Sequence, residues 1–333
     1  MHELILELVR DSREPYALAR FPLDDGAMVA LFSAGRPRWI AKTADRPAGV
    51  RRLRAEARGL GQIEPDANAL GVPRLLGWNE TPDGDFDAVA CLVQSAVPGG
   101  HEHLAWNRRD GLAPLPATTL AAGDWIRRFQ TRVAPPRALT LGELTDQICG
   151  LAAADRRSHP EYAPLLDGLL AVIDRLAARA RCEPPAVAVH GDFWAGNILV
   201  ERPRGRAPLL HVVDWSGFDA GTALDDILTW MAQLRLAGIP PAAPRLERWI
   251  RVFFTPGRAR EYLRDWKVEA GYSEADARLA FYLHLIRRMS WELGLGLQSR
   301  SQFERGRARR EWEQVLDWLV QYRYPDPFTP VPV

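Results

Sequence analysis

The sequence predicts an α+β fold, with a small antiparallel sheet and one helix near the N-terminus and a larger, mainly helical region after them. Apolar and polar residues alternate from position 16 to about 44, as expected for strands with one buried face. Helical spacing replaces this alternation from 47 to 64. Beyond a segment with proline and glycines at 94–100, helical patterns dominate. These three observations predict two lobes joined near residue 96.

The N-terminal strands can be placed in order. The alternating segment predicts a three-stranded meander with turns at 24–26 and 34–37, a second strand at 28–32 and a third at 39–42. Two further strands are expected at 74–78 and 88–93. The last of them leads into the segment at 94–100, which we interpret as a hinge between lobes.

The second region is predicted to consist of helices around a short β region. The expected helices are about 118–133, 161–181, 223–236, 273–293 and 305–322. Short strands at 186–189, 198–200 and 210–213 bracket two polar loops. The polar loops are therefore held by rigid elements, which is where functional side chains are often found.

Composition narrows the class of protein. The chain has 333 residues, 47% of them hydrophobic and 26% charged, which is ordinary for a folded globular protein. A formal net charge of +1 gives no long-range field for nucleic acid, so we expect no nucleic-acid partner. Without a signal-like N-terminus or an apolar run of about 18 residues, we expect a cytoplasmic protein without membrane association. Its three cysteines lack metal-ligand spacing and are expected to be reduced thiols.

Lysine is almost absent from this chain. Of 43 basic residues only Lys42 and Lys267 are lysine, so 43 − 2 = 41 are arginine. A compact ammonium group differs from the planar guanidinium in shape and hydration, so a retained lysine can mark a position where that difference matters. Glu56 lies on the apolar face of the predicted first helix, where an unpaired carboxylate would cost several kcal/mol. The sequence therefore predicts a cationic partner for Glu56, or a position at a wet edge.

Two polar loops carry the candidate chemistry. Asp192 and Asn197 lie between apolar strands, and Asp214 ends the next strand pair. A turn at 202–205 would fold Asp214 back beside Asn197. Carboxylate and amide oxygens suit a hard divalent cation, and Mg²⁺ needs few protein ligands when phosphates supply the others. Asp192 is then available as a general base.

The order of these residues resembles a known superfamily. His190-Gly191-Asp192, then Asn197, then Asp214 is similar to the catalytic and metal loops of the aminoglycoside phosphotransferase and choline kinase superfamily, relatives of protein kinases. An acidic helix start at 224–227 adds to the similarity, which extends from about 16 to 236. The resemblance implies a protein-kinase-like bilobal fold with a small N-terminal lobe and a larger helical C-terminal lobe.

The resemblance also implies a set of roles. Asp192 would orient and deprotonate an acceptor hydroxyl, while Asn197 and Asp214 would hold Mg²⁺ on the phosphates of ATP or GTP. Lys42 would neutralise phosphate charge and would be positioned by Glu56. The expected product is a small molecule that carries the transferred γ-phosphate on a hydroxyl.

The lobes are expected to divide this work. Residues 1–96 would form the nucleotide-binding lobe, with Gln94 and Ala96 contacting the nucleotide at the hinge. Residues 97–333 would form the catalytic and acceptor-binding lobe. No Gly-x-Gly-x-x-Gly loop precedes Lys42, and no Ala-Pro-Glu segment follows Asp214. The second departure disfavours a protein substrate and favours a small-molecule partner, bound by a monomer or a homodimer.

The acceptor stays open at this point. A cationic aminoglycoside would need an acidic pocket, for which the candidates are Asp219, Asp225, Asp226 and Glu292. A choline-like amino alcohol would favour an aromatic cage. The tryptophans considered for that cage, each expected to be in the core instead, are Trp194, Trp215, Trp230 and Trp291. Sugar-like metabolites are a third class.

Two other functions deserve comparison. A kinase-like fold can persist as a catalytically silent, nucleotide-binding regulatory module, since fold alone does not determine function. The presence of Lys42, Asp192, Asn197 and Asp214 argues against that alternative. A metal-dependent hydrolase using the scattered histidines would need ligand spacing that the sequence does not show.

Overall fold

The computed structural model describes residues 16–23, 26–80, 90–101, 105–106, 115–236, 245–293, 302–323 and 325–328. This part of the chain forms two compact units. The first contains the described residues up to 101 together with 131–133 and 196–218, and the second contains the rest. The predicted division assigns 196–218 to the C-terminal lobe, whereas the contacts of this segment group it with the first unit.

A five-stranded antiparallel sheet forms the frame of the first unit. Its strands are β1 (Tyr16–Leu23), β2 (Gly26–Ser33), β3 (Arg36–Ala44), β4 (Leu75–Glu80) and β5 (Ala90–Ser95). Their spatial order is β1-β2-β3-β5-β4. Alternate residues of β2, β3 and β5 share one buried cluster, formed by Val29, Leu31, Ala41, Cys91 and Val93. The period-two pattern of the sequence therefore marks the buried face of this sheet.

Helix α1 (Pro47–Ile63) follows β3 and covers part of the sheet. A proline in its first turn is favourable, because the backbone N–H that proline lacks would have no partner inside the helix. Val50 and Leu53 pack with Ala44 and Ala90 of the neighbouring strands. A short helix, α2 (Ala67–Leu70), comes next.

A turn that follows a later β-hairpin, Trp215–Gly217, packs against α1. The hairpin consists of β8 (Ile198–Glu201) and β9 (Leu209–Val212), which pair in an antiparallel manner. A Cβ atom placed on Gly59 of α1 would lie only 2.9 Å from the carbonyl oxygen of Trp215, just after the hairpin. The close approach needs glycine at this position and explains why 196–218 belongs to the first unit.

Helices make up most of the second unit. They are α3 (Ala117–Arg132), α4 (Leu141–Ser158), α5 (Ala163–Ala177), α6 (Asp225–Met231), α7 (Arg245–Trp249), α8 (Arg258–Glu269), α9 (Glu274–Glu292) and α10 (Gln302–Gln321). Helix α9 packs against both α4 and α5. Capping boxes at Thr140 and Ser273 begin α4 and α9. A π-helical turn at Ile250–Phe254 follows α7.

Two short strand pairs complete the second unit. Strand β7 (Val187–Val189) pairs antiparallel with β10 (Asp219–Gly221), and β6 (Ala105–Trp106) pairs parallel with β11 (Arg235–Leu236). β7 ends directly before His190, and β10 ends four residues before α6. The β7–β10 pair therefore brings the loop that starts at His190 close to the first turn of α6.

The structure changes some of the predicted elements. The predicted helix at 223–236 is limited to α6, because the chain turns after Met231 and enters β11. Helices α2, α4, α7 and α8 were not predicted. The turn positions 24 and 25, and residues 88 and 89 of the fifth predicted strand, lie outside the described residues. None of the helices in the described ranges is long and apolar enough to cross a membrane.

Candidate active site

Lys42 and Glu56 form a buried ion pair in the first unit. Lys42 lies on β3 and Glu56 on the buried face of α1, and the Nζ–Oε1 distance is 2.6 Å. The two side chains are 15% and 1% exposed. The predicted partner of Glu56 is therefore Lys42, and the pair explains a carboxylate on an apolar helix face.

Asp214 adds a second carboxylate to the charge around Lys42. Burial alone would lower the pKa of Lys42, but the negative charges of Glu56 and Asp214 outweigh burial and raise it. Burial and the charge of Asp214 raise the pKa of Glu56, although Lys42 opposes the rise. Lys42 therefore stays an ammonium ion at physiological pH, with two carboxylates sharing its charge.

Asn197 and Asp214 lie at the same end of the β8–β9 hairpin. Ile198 pairs with Val212 in the hairpin, and the amide of Val213 donates to the carbonyl oxygen of Asn197 at 2.9 Å. Asn197 is 6% exposed. The hairpin turn thus folds the chain back as the sequence predicted, and places an amide and a carboxylate side chain on adjacent strand ends.

The backbone of Asp214 is held in an uncommon conformation. Its φ of 61° and ψ of 74° lie in the left-handed region, which few residues other than glycine adopt. The hydroxyl of Ser216 donates to Asp214 Oδ1 at 2.9 Å and helps to orient the carboxylate. Such conformations persist only where the surroundings enforce them, and they concentrate at functional sites.

The two predicted hinge contacts differ in what they can offer a nucleotide. Gln94 on β5 is 3% exposed, and its Oε1 has no hydrogen-bond partner within the described ranges. The amide of Ala96 already donates to the carbonyl oxygen of Arg38 at 2.8 Å. A nucleotide base could therefore use the carbonyl of Ala96 but not its N–H, and Gln94 keeps an unsatisfied buried acceptor.

The loop after β7 is held in place by a side chain from α6. The amides of His190 and Gly191 donate to the two carboxylate oxygens of Asp226, at 2.8 and 3.1 Å. Gly191 has a φ of 80°, where a side chain would be strained. The amide of Asp192 donates to Nδ1 of the fully buried His190 at 3.3 Å. Asp226 and His190 therefore fix the backbone that presents Asp192.

Asp226 makes the stability of this loop depend on pH. Burial raises the pKa of its carboxyl to about 7, although the hydrogen bonds from His190 and Gly191 oppose the rise. The corresponding value in an unfolded chain is about 3.9. Between these two values the folded state binds more protons than the unfolded state. The contribution of Asp226 to the free energy of unfolding therefore falls as pH rises from about 4 to about 7, and is constant above that window.

We expect Asp226→Asn to remove this dependence. Between pH 4 and pH 8, the free energy of unfolding should fall by at least about 1 kcal/mol more for the wild type than for the variant. Chemical denaturation of both proteins across this range measures the difference, in which the other titrating groups cancel. Parallel stability curves for the two proteins would contradict the prediction.

Asp225, the neighbour of Asp226, is occupied by ion pairs. Its Oδ1 lies 3.2 Å from His284 Nδ1, and its Oδ2 accepts hydrogen bonds from Arg287 at 3.2 Å and from the amide of Thr222 at 2.7 Å. Burial would raise the pKa of Asp225, but Arg287 and His284 outweigh it and lower the pKa. Asp225 therefore stays a carboxylate that ties α6 to α9.

Asp192, the predicted base, is paired with an arginine of α9. Its Oδ1 accepts a hydrogen bond from Arg288 Nη1 at 2.9 Å, and Arg288 Nε donates to Glu292 Oε1 at 2.7 Å. Glu292 also forms an ion pair with Arg245 and accepts a hydrogen bond from Trp312 Nε1 at 3.0 Å. Burial would lower the pKa of Arg288, but Glu292 and Asp192 raise it. We call Asp192, Arg288, Glu292 and Arg245 the acid–arginine chain.

Sequence reasoning missed Arg288 and Arg245 as residues of this site. The spacing of Arg288 and Glu292, four positions apart, predicts an ion pair along a helix. Nothing in the sequence links Arg288 to Asp192, which lies 96 positions earlier. The contact depends on how α9 packs in the second unit, and only a structure can supply that.

The four tryptophans considered for the acceptor pocket differ in exposure, and Trp291 is partly buried. Trp215 and Trp230 are buried, at 0% and 1% exposure, as expected for core residues. Trp194 is 44% exposed, so its expected place in the core is wrong. Its amide donates to the carbonyl oxygen of Asp192 at 2.8 Å, so the exposed indole belongs to the same loop as the predicted base.

The predicted site residues thus form two groups. Lys42, Glu56, Asn197 and Asp214 belong to the first unit, and Asp192 belongs to the second. In chain order, a lysine and a glutamate that pair, then an Asp-x₄-Asn loop and a later aspartate, are typical of phosphotransferases with a kinase-like fold.

A family model supports this class. The model of the "Phosphotransferase enzyme family" matches residues 28–266, which is more than half of the chain. The chain belongs to this family, and the predicted class of small-molecule phosphotransferase is confirmed. A search of the curated proteins finds no match to this sequence.

Solved structures share the fold. The GDP complex of wild-type aminoglycoside 2′-phosphotransferase-IIIa has a TM-score of 0.55 at 14% identity, covering 95% of this chain and 97% of that one. Macrolide 2′-phosphotransferase from Brachybacterium faecium gives 0.52 at 16% identity, covering 93% and 97%. Aminoglycoside-3′-phosphotransferase of type VIII gives 0.51 at 22% identity, covering 86% and 98%. The predicted kinase-like bilobal α+β fold is confirmed.

Proposed function

We propose that this chain transfers the γ-phosphate of ATP or GTP, in the presence of Mg²⁺, to a hydroxyl group of a small molecule. The observation that carries the proposal is the buried Lys42–Glu56 pair with Asp214 in its electrostatic reach. A lysine retained in a chain of 41 arginines, and held by a carboxylate that is 1% exposed, fits a phosphate-binding ammonium better than a surface ion pair.

The first unit supplies the nucleotide side of the proposed reaction. Lys42 would neutralise phosphate charge, and Glu56 fixes the direction of its ammonium group through the 2.6 Å contact. Lys42, Glu56 and Asp214 together carry one positive and two negative charges. This excess of negative charge would attract a divalent cation. The Oε1 of Gln94 is unsatisfied but closed to solvent, so the exocyclic amine of a purine base would reach it only after the side chain turns.

The side chains at the end of the β8–β9 hairpin fit magnesium. Asp214 and Asn197 would hold the ion through a carboxylate and an amide oxygen, the hard ligands that Mg²⁺ prefers. Once bound, the ion would neutralise charge on the nucleotide phosphates. The left-handed backbone of Asp214 and the bond from Ser216 preorganise this carboxylate before any ligand arrives.

The second unit supplies the acceptor side. Asp192 would accept the proton of the attacking hydroxyl and hold its oxygen in the direction of attack. Phosphoryl transfer depends mainly on alignment and charge neutralisation, so a fixed loop matters as much as the base. Asp226 and His190 supply that rigidity through three hydrogen bonds to the loop backbone.

Solved complexes of proteins with this fold agree with the proposal. One is a ternary complex of streptomycin, ATP and an aminoglycoside 2″-phosphotransferase, with a TM-score of 0.53 at 12% identity. Another contains GDP and kanamycin, with a TM-score of 0.54 at 16% identity. These complexes support a purine nucleotide and a small hydroxylated acceptor. The acceptor classes to be tested are aminoglycosides, amino alcohols and sugar-like metabolites.

The proposal predicts magnesium-dependent nucleotide binding that requires Asp214. Asp214→Asn should weaken ATP binding in the presence of Mg²⁺ by at least the roughly tenfold that loss of an outer-shell partner costs. Binding without Mg²⁺ should not weaken, because Lys42 and Glu56 are retained and one negative charge near the phosphates is removed. Calorimetric titration of both proteins, with and without Mg²⁺, measures this, and transfer of radiolabelled phosphate to an acceptor panel measures the reaction.

The outcomes separate the candidate functions. No magnesium-dependent binding of ATP or GTP to the wild type would contradict the proposed enzyme. Nucleotide binding without transfer to any hydroxyl in the panel would favour the silent regulatory module. Equal effects of Asp214→Asn with and without Mg²⁺ would contradict the metal role of Asp214 alone.

A further inference from the structure

The acid–arginine chain places a positive charge directly on the predicted base. Arg288 is 22% exposed and lies between Asp192 and Glu292, both 12% exposed. The contacts of its Nη1 and Nε fix the guanidinium plane from two sides. Neither the family membership nor the predicted roles assign a function to Arg288.

We propose that Arg288 sets the charge of the acceptor, so that the site around Asp192 takes an uncharged polyhydroxylated molecule and disfavours a polycation. The proposal rests on the proposed function, since it describes the acceptor of that reaction. It makes Arg288 a specificity-determining residue, and it separates this chain from an enzyme built for an ammonium group beside the reacting hydroxyl.

The charges of the acid–arginine chain already compensate one another. Asp192 is paired with Arg288, and Glu292 is paired with both Arg288 and Arg245. Arg245 also lies 3.2 Å from a carboxylate oxygen of Glu311. Every carboxylate of this group therefore has a guanidinium partner. An ammonium group brought to Asp192 would meet a like charge already in place, and such juxtapositions are costly at a binding site.

Arg288 is held in place and is difficult to displace. Glu292 is held by Arg245 and by the indole N–H of the fully buried Trp312, so it cannot follow a moving side chain. Moving Arg288 away would leave Glu292 and Asp192 with less compensation in a site that is largely buried. Removing one partner of a buried pair is strongly destabilising. Arg288 is therefore part of the site that an acceptor meets.

The remaining candidates for an acidic pocket have other partners. Asp219 pairs with Arg137 at 2.6 Å. Asp225 pairs with His284 and Arg287, and Asp226 accepts hydrogen bonds from the loop amides. The four acids considered for binding a cationic aminoglycoside are thus used by the protein itself.

A hydroxylated acceptor can use what this site presents. A hydroxyl bound to Asp192 lies about 2.6–3.2 Å from the carboxylate, beside the donors of Arg288. A guanidinium carries five N–H donors, and two of its nitrogens are used by Asp192 and Glu292. A second oxygen on the acceptor, next to the reacting hydroxyl, would accept a hydrogen bond from Arg288. Vicinal hydroxyl or ether oxygens of a sugar-like molecule provide this pair.

Binding of kanamycin, a polycationic aminoglycoside, tests the proposal without the natural acceptor. Arg288→Gln should bind kanamycin about tenfold more tightly than the wild type, because Asp192 and Glu292 lose a compensating charge. Arg309→Gln is the matched control, since Arg309 pairs with Glu313 on an exposed face of α10, and it should bind like the wild type. Equal kanamycin affinity for all three proteins in calorimetric titration would overturn the proposal.

A second variant protects the test against misfolding of Arg288→Gln. Asp192→Asn keeps the shape of the side chain and leaves Arg288 with one carboxylate fewer. We expect this variant to bind inorganic phosphate about tenfold more tightly than the wild type, and kanamycin no more tightly. Unchanged phosphate affinity would overturn the proposal. Melting curves show whether each variant is folded.

These titrations use protein without nucleotide, so their result does not depend on phosphotransfer. If the wild type shows no magnesium-dependent ATP binding, the proposed function is contradicted. The kanamycin and phosphate affinities would still report the charge of the acceptor site. Efficient phosphorylation of kanamycin by the wild type would support the proposed phosphotransfer but overturn the proposed role of Arg288.

Discussion

Asp192→Asn should reduce acceptor-dependent turnover by about 10²- to 10⁴-fold, the range over which a positioned general base contributes. Asparagine retains an oxygen that can accept the 2.9 Å hydrogen bond from Arg288, but it cannot take a proton from the acceptor. Affinity for the magnesium nucleotide should not fall, since Lys42, Asn197 and Asp214 are untouched. Release of ADP in the presence of the acceptor that the panel identifies measures turnover.

Asp167→Asn is the control for this substitution. Asp167 forms an exposed ion pair with Arg156 on the surface of the second unit, and its side chain is 49% exposed. The same chemical change there should leave turnover within about twofold, as expected for a surface substitution. If Asp192→Asn keeps turnover within tenfold of the wild type, Asp192 is not the base.

Lys42→Met should lower the free energy of unfolding by about 3–5 kcal/mol, which is the usual result of removing one partner from a buried ion pair. The substitution leaves Glu56, at 1% exposure, beside the like charge of Asp214. Burial already raises the pKa of Glu56, and loss of the ammonium raises it further. The penalty should therefore shrink as pH falls, because Glu56 becomes protonated and neutral. Chemical denaturation at several pH values measures both effects.

The only other lysine provides the control. Lys267→Met on α8 should change stability by no more than about 0.5 kcal/mol, because Lys267 has no ion pair among the residues the structure describes. The double variant Lys42→Met/Glu56→Leu should recover most of the lost stability, since it removes both charges, but not nucleotide binding. If the double variant is as unstable as Lys42→Met, the buried charge is not the cause.

The contacts within the first group of candidate residues could be predicted from the sequence because each signal was local. Glu56 on an apolar helix face required a partner, and the scarcity of lysine pointed to Lys42. Asn197 and Asp214 were joined by a hairpin whose turn is visible in the sequence. Each of these inferences uses the period of an element or the length of a turn, which the chain encodes over a few residues.

The second group was only partly predictable. Asp192 lies in a recognisable loop, but its partner Arg288 comes from a helix almost a hundred positions later. Asp226 lies in the first turn of a helix, as expected. It was also considered for an acceptor pocket, whereas it accepts hydrogen bonds from the loop amides. Such contacts follow from the packing of α6 and α9, and no period in the sequence reports which side chains that packing will join.

The missed helix α4 is a different case, because its signals were present. Thr140 and Glu143 form a capping box at its start. Leu141, Leu144 and Ile148 then follow at the spacing of one buried helix face. The prediction failed there because nearby prolines and the alanine-rich second half weakened the pattern. The prediction of one helix over 223–236 was wrong for a tertiary reason, because the chain leaves α6 and forms β11, which pairs with β6.

The two bonds from Asp226 to the loop amides also limit how this loop could be moved between proteins. A graft of residues 190–197 into another kinase-like scaffold would carry Asp192, the proposed base, but not the carboxylate 36 positions later that accepts hydrogen bonds from the amides of His190 and Gly191. The recipient must supply an acidic residue at the start of the corresponding helix. The smallest portable module of this protein is therefore discontinuous, and engineering of its specificity should keep the loop and α6 together.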